Sequence, residues 1–140
     1  MLQLNITTDY AIRIVVYLGM TGGFAASRDI SGSMGIPYGY VLKIVRKLAA
    51  AGIVTTSTGI YGGISLNKKP GDISLLDIIQ TMESTAKINR YLEKDKYCSR
   101  FATETCPVRQ FYCVLQDELE SKLSSITVAA LLQQKKGDVS

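Results

Sequence analysis

Residues 27–66 read SRDISGSMGIPYGYVLKIVRKLAAAGIVTTSTGIYGGISL, and this stretch decides the fold. Ser27 can cap a short helix from Arg28 to about Met34. Gly35-Ile36-Pro37 makes a tight turn, and Pro37 stands where a helix begins and its missing N–H is harmless. The next helix runs from Tyr38 to about Ala51. Its apolar residues Val41, Ile44, Val45 and Leu48 recur at i, i+3, i+4 and i+7. Lys43, Arg46 and Lys47 fall off that stripe, and Gly52 stops the helix. Two short strands follow, Ile53 to Ser57 and Ile60 to Leu66, with Thr58-Gly59 as the turn and Gly62-Gly63 as a flexible tip.

Upstream, Thr7 or Thr8 can cap a first helix that reaches about Met20, with Asp9 in its first turn and Gly22-Gly23 breaking it. The predicted order is helix, two helices around a tight turn, then a hairpin. This is a mainly α fold with a small β-hairpin wing, a winged helix-turn-helix over residues 1–80. Downstream, Ser74 and Asp77 form a capping box for a fourth helix with Leu75, Leu76, Ile78, Ile79 and Met82 on a broad apolar face. Residues 83–105 turn polar, charged and aromatic, and read largely as irregular. A long helix starts near Pro107, with Phe111, Leu115, Leu119, Leu123 and Ile126 as a stripe that can pack on its own domain or on a second copy. Thr127 caps a last turn through Leu132. The expected organisation is thus a DNA-binding unit at 1–80, a cysteine-bearing sensor loop at 81–113, and a dimerisation helix with its tail at 107–140.

Composition narrows the function. The 140 residues are 46% hydrophobic with a mean hydropathy of +0.13, which excludes an intrinsically disordered chain. No apolar run approaches the length of a membrane span, and no signal peptide is recognisable, so a cytoplasmic protein with no membrane partner is expected. The absence of His excludes Ser-His and Cys-His catalysis and the usual Cys/His zinc sites. An enzyme is not expected. Charge is uneven: the first 70 residues carry seven basic and two acidic side chains, a net of +5, and the remainder nine and ten, a net of −1. A basic front half suits a polyanion such as double-stranded DNA, or is simply a solvated surface.

In a helix-turn-helix the second helix offers its N-terminal residues to the major groove. Here these are Pro37, Tyr38, Gly39 and Tyr40, with Lys43 and Lys47 placed for phosphates. Gly39 permits close approach. Tyr40 reads more readily as a core anchor on Val15 or Leu18 than as a base contact. Arg28, at the start of the preceding helix, and the wing residues Thr58, Gly59, Tyr61 and Gly62 complete the candidate interface. The wing glycines either serve a ligand or only permit the hairpin backbone.

All three cysteines, Cys98, Cys106 and Cys113, fall in one short stretch with Lys96, Arg100 and Arg109 nearby. Thiolates so placed suit an iron–sulfur cluster or another soft metal, or act as redox-active or inert thiols. The lack of a C-x-x-C excludes a zinc ribbon or a thioredoxin site.

Together these pieces resemble the IscR/NsrR-type family of bacterial winged-helix transcription regulators, which respond to iron–sulfur clusters or nitric oxide. The likeness spans nearly the whole chain. It lies in Thr8-Asp9-Tyr10-Ala11-Ile12-Arg13, Tyr40-Val41-Leu42-Lys43-Ile44, Ala51-Gly52-Ile53-Val54, Gly59-Ile60-Tyr61-Gly62-Gly63, Ile73-Ser74-Leu75-Leu76-Asp77-Ile78-Ile79, the three cysteines and Thr127-Val128-Ala129-Ala130-Leu131. The resemblance implies a homodimer whose long helices cross, a pseudo-palindromic operator, repression, and a 2Fe–2S or 4Fe–4S cluster on Cys98, Cys106 and Cys113. It also implies a fourth ligand. With no His, Asp9 of a second subunit matches one family solution, beside its plainer reading as a helix-dipole partner. Two departures stand out: the cysteine intervals are longer than the commonest family spacing, and Thr58 stands where many members have Arg. The alternative is a cluster-free regulator of the same fold, controlled by thiol redox or a partner protein.

Overall fold

The computed structural model describes residues 4–60, 62–83, 86–87 and 107–133. Helix α1 spans Ile6–Thr21, α2 Ser27–Met34 and α3 Tyr38–Ala50; strands β1 (Val54–Ser57) and β2 (Gly63–Leu66) form the hairpin. A single 3₁₀ turn, Pro70–Asp72, leads to α4 (Leu75–Glu83); α5 (Pro107–Ser125) and α6 (Val128–Leu132) complete the described chain. The mainly helical winged helix-turn-helix expected from the sequence is the fold observed.

The caps differ in part from expectation. Asn5, rather than Thr7 or Thr8, caps α1: its side-chain oxygen accepts from the N–H groups of Thr7 and Thr8, and both threonines lie inside the helix. Asn5 is one of the best capping residues, worth about 1 kcal/mol there. Ser27 opens α2 as a helical residue behind Ala26, with no side-chain cap. The Ser74–Asp77 box forms as expected, with reciprocal bonds of 3.0 and 3.1 Å, and Thr127 accepts from the Ala130 N–H at 3.1 Å. Gly35 ends α2 at φ +66°, a left-handed conformation costly for a residue with a Cβ, and so makes the turn into α3.

The core is the trihelical interior. Ile14 and Leu18 of α1, Ile30 of α2 and the predicted stripe of α3 meet Ile64 of β2 and Ile78 of α4. Strand pairing runs Val54↔Leu66 to Ser57↔Gly63, so β1 begins one residue, and β2 three residues, later than predicted. A further pair was not foreseen. Ala25, in the α1–α2 loop, exchanges two 2.8 Å hydrogen bonds with Ile64 and ties the hairpin to the first helices.

Helix α6 returns to this core. Val128 is fully buried, its N–H donates to the Ile73 carbonyl at 2.9 Å, and the Leu75 N–H donates to the Ile126 carbonyl at 2.9 Å. The sequence stripe on α5 and just beyond it changes along its length: Phe111 and Leu115 are exposed, whereas Leu119, Leu123 and Ile126 are half-buried. The lower part packs within the chain. Val108, Phe111 (60% exposed), Val114 (59%) and Leu115 stay open to solvent.

Candidate nucleic-acid interface

Helix α3 divides cleanly. Val41, Ile44, Val45 and Leu48 are buried; Tyr38, Gly39, Tyr40, Lys43, Arg46 and Lys47 face solvent. Pro37 precedes the first turn, leaving its early N–H groups at an exposed helix N-terminus that favours anionic oxygens. No ion pair among the described residues engages Lys43, Arg46 or Lys47. Among the described residues no carboxylate compensates their charge.

The aromatic groups at this end are held by neighbours. The Arg28 guanidinium lies 4.8 Å over the Tyr38 ring, linking α2 to α3. Tyr40 is not the core anchor predicted: it is 41% exposed and meets Tyr10 edge-on at 5.6 Å. The reason is helical phase. Val41 already occupies the inward position, which puts Tyr40 about 100° round the helix at the rim. Pro37, Gly39, Tyr40 and Lys43 line one shallow depression on this face.

The wing follows. Residues 55–60 are all exposed, Thr58 among them. Gly59 has φ +100°, and its carbonyl accepts from the Gly62 N–H at 3.1 Å. A Cβ at Gly62 would overlap the carbonyl oxygen of Ser57, so that glycine is a requirement of the hairpin backbone itself. Tyr61 lies outside the described residues.

Two of the candidate cluster ligands, Cys98 and Cys106, also lie outside the described residues. Cys113 is half-buried on α5. Asp9 sits in the first turn of α1, where its carboxylate is about half-exposed and pairs with Arg13 at 2.8 Å. Arg13 also donates to the Met34 carbonyl at 3.3 Å, at the end of α2. Among the described residues no three Cys, Asp or Glu side chains converge.

Two anchors escaped the sequence reading. The Thr8 hydroxyl, 1% exposed, donates to Glu83, which also accepts from the Asn5 backbone N–H at 3.3 Å. Buried Gln116 donates to the Ala86 carbonyl at 2.7 Å and to Glu120 at 3.0 Å, while Lys87 pairs with Glu120 at 3.3 Å. Apart from the Gln116–Glu120 bond within α5, these links join residues at least 30 apart in sequence, at the two ends of the cysteine-bearing segment. Such spacing carries no local signal.

A winged helix-turn-helix with a basic, solvent-facing second helix defines a DNA-binding transcription regulator. The family model for Rrf2, described as an iron-dependent transcriptional regulator, matches residues 4–134, and the chain belongs to that family. Its members are regulators rather than enzymes. Solved structures share the fold at low identity. CymR (YrzC), the global cysteine regulator of B. subtilis, is 22% identical, with a TM-score of 0.78 over 97% of this chain and 100% of that one. The T. potens IscR is 22% identical, with a TM-score of 0.72 over 97% and 94%. The oxidised form of Staphylococcus aureus CymR is 18% identical, with a TM-score of 0.72 over 96% and 99%. No helix among the described residues is long and apolar enough to cross a membrane.

Proposed function

We propose that the chain is a cytoplasmic, homodimeric repressor that reads a pseudo-palindromic operator and whose affinity is set by an iron–sulfur cluster. The observation that carries the DNA reading is the divided helix α3: a buried stripe on one side, and on the other Lys43, Arg46 and Lys47, which make no ion pair among the described residues, with Pro37, Tyr38, Gly39 and Tyr40. The N-terminal residues suit base edges, the lysines suit phosphates, and Arg28 with Thr58, Gly59 and Gly62 of the wing adds to them, as would Tyr61 by its place in the sequence. The uncovered row Val108, Phe111, Val114 and Leu115 favours a second copy as the partner of α5. Two recognition helices then need a spacing of about 34–36 Å or a multiple.

Cys98, Cys106 and Cys113 would hold the cluster, with Asp9 of the partner subunit as fourth ligand. The donor set fits: three soft sulfurs and one carboxylate. Among the described residues the Asp9 carboxylate is engaged by an exposed i,i+4 pair, which costs little to surrender. When bound, the cluster supplies an oxygen- and nitric-oxide-reactive centre and a tie between the chains. The protein's own part is a short relay. Drawing Asp9 away leaves Arg13 with its bond to Met34 and its place 5.7 Å over Tyr10, which in turn meets Tyr40 of α3. The charge beside the helix-turn-helix thus changes with the state of Asp9.

Anaerobic reconstitution with iron and sulfide, followed by metal analysis and visible absorption, tests this. Stoichiometric iron and sulfide, lost in C98A, C106A and C113A, are expected. Failure of the native chain to take up iron would overturn the cluster. A second reading, a cluster-free regulator controlled by its thiols or a partner protein, is favoured by the likeness to CymR, one structure of which is an oxidised form. It predicts DNA affinity that follows thiol oxidation and ignores iron.

A further inference from the structure

We infer that Ile60 is the wing's minor-groove contact and that it makes the protein prefer A·T pairs where it touches. The inference rests on the reading above, that the α3 face and the wing meet duplex DNA; Ile60 is not among the residues assigned there.

Ile60 is 95% exposed, the most solvent-exposed large apolar side chain among the described residues, and the core does not use it. Its position is built rather than incidental. Gly62 donates to the Gly59 carbonyl at 3.1 Å and closes a turn in which Ile60 is the first corner. Before it stands Gly59, left-handed at φ +100°, and after it Gly62, whose approach to Ser57 leaves no room for a Cβ. The base is equally fixed. Ser57 pairs with Gly63, Ala25 brackets Ile64 with two 2.8 Å bonds, and Asn67 donates to the carbonyls of Ile53 and Gly52 at 2.9 and 3.0 Å. These bonds tie the base of the hairpin to the first helices and to the end of α3.

The chemistry of that tip is unusual for a DNA-binding loop. From Val54 to Leu66 the sequence has no charged residue, so the wing can form no ion pair with phosphate. Backbone N–H groups and hydroxyls remain, together with one bare isoleucine. The minor groove is about 6 Å wide, and its floor differs between pairs mainly by the amino group of guanine. An apolar side chain pressed on a G·C pair meets that protruding group and strands its N–H donor from water, at a cost. At A·T pairs the floor is clear. Apolar wedges of this kind also enter flexible pyrimidine–purine steps most easily.

The test starts with selection from a random duplex library by the full-length native chain, I60A and I60S. Titrations follow on selected duplexes carrying A·T or G·C pairs at the wing position, over a range of salt. The native chain should favour A·T there by about tenfold, near the usual effect of one base pair. Both variants should bring that ratio close to one, while the major-groove consensus and the salt slope stay unchanged, because no phosphate contact is lost. K43A is the counter-case: a smaller salt slope with the A·T preference intact. If I60A keeps the native preference, the tip stands clear of DNA and the inference falls while the interface survives. If the native chain selects no sequence at all, the interface itself is wrong and the inference goes with it.

Discussion

Asp9 and Arg13 form an ion pair of 2.8 Å one helical turn apart on α1, and the same guanidinium reaches the Met34 carbonyl at the helix-turn-helix corner. As a structural feature alone, an exposed i,i+4 pair contributes about 0.3–0.5 kcal/mol. Asp9→Ala should therefore move the denaturant midpoint very little. As a cluster ligand, Asp9 would count for much more. D9A should change the visible spectrum of the reconstituted protein and speed loss of its iron. Unchanged iron content and spectrum would reduce Asp9 to a helix-dipole partner.

Glu83 ends α4 and holds the N-terminus of α1 through Asn5 and the buried Thr8 hydroxyl. Glu83→Ala leaves that hydroxyl with the long 3.5 Å bond to the Asn5 side chain among the described residues, at a cost of about 1 kcal/mol. Thr8→Val combined with the Glu83 change should cost less than the sum of the two single variants, because both partners are then removed. Urea unfolding of the set measures this.

Gly62→Ala forces a Cβ into the Ser57 carbonyl while leaving the trihelical core untouched. The hairpin tip must shift. Global stability should fall by about 1–3 kcal/mol or less, and affinity for a selected duplex should fall at least tenfold in a binding titration. Native affinity in G62A would mean that the wing does not touch DNA.

Lys43→Ala and Lys47→Ala remove exposed charges that make no ion pair among the described residues, so unfolding midpoints should stay within about 0.5 kcal/mol of native. Each should weaken binding alike on every sequence and lower the salt slope by about one.

Phe111→Glu and Val114→Glu place charges on the uncovered row of α5 without disturbing a buried contact. The folded chain should then run as a monomer in light-scattering measurements and bind operator far more weakly. A dimer that persists in both variants would place the partner surface elsewhere.

The helix-turn-helix was legible because its signals are local. The i, i+3, i+4, i+7 row of α3, the Ser74–Asp77 box and the punctuation by Gly35 and Gly52 each lie within a few residues. Tyr40 was misread because an aromatic residue beside an apolar stripe looks inward until helical phase is counted from Val41. Contacts such as Ala25 with Ile64, Thr8 with Glu83 and Val128 with Ile73 depend on tertiary closure, which no short window contains. The candidate interface was visible as basic residues off the apolar stripe of α3. Ile60 passed as an ordinary strand residue, because only the observed register puts it in the turn.

In the proposed function the α3 face reads DNA under the control of the three cysteines. The most direct measurement is equilibrium binding of one selected duplex and its scrambled counterpart, anaerobically, before and after iron and sulfide are built into the same protein. A preference for the selected duplex, with affinity changing at least tenfold on reconstitution and not at all in C98A, is the predicted result. Equal affinity in both states, or no preference over the scrambled sequence, would contradict it.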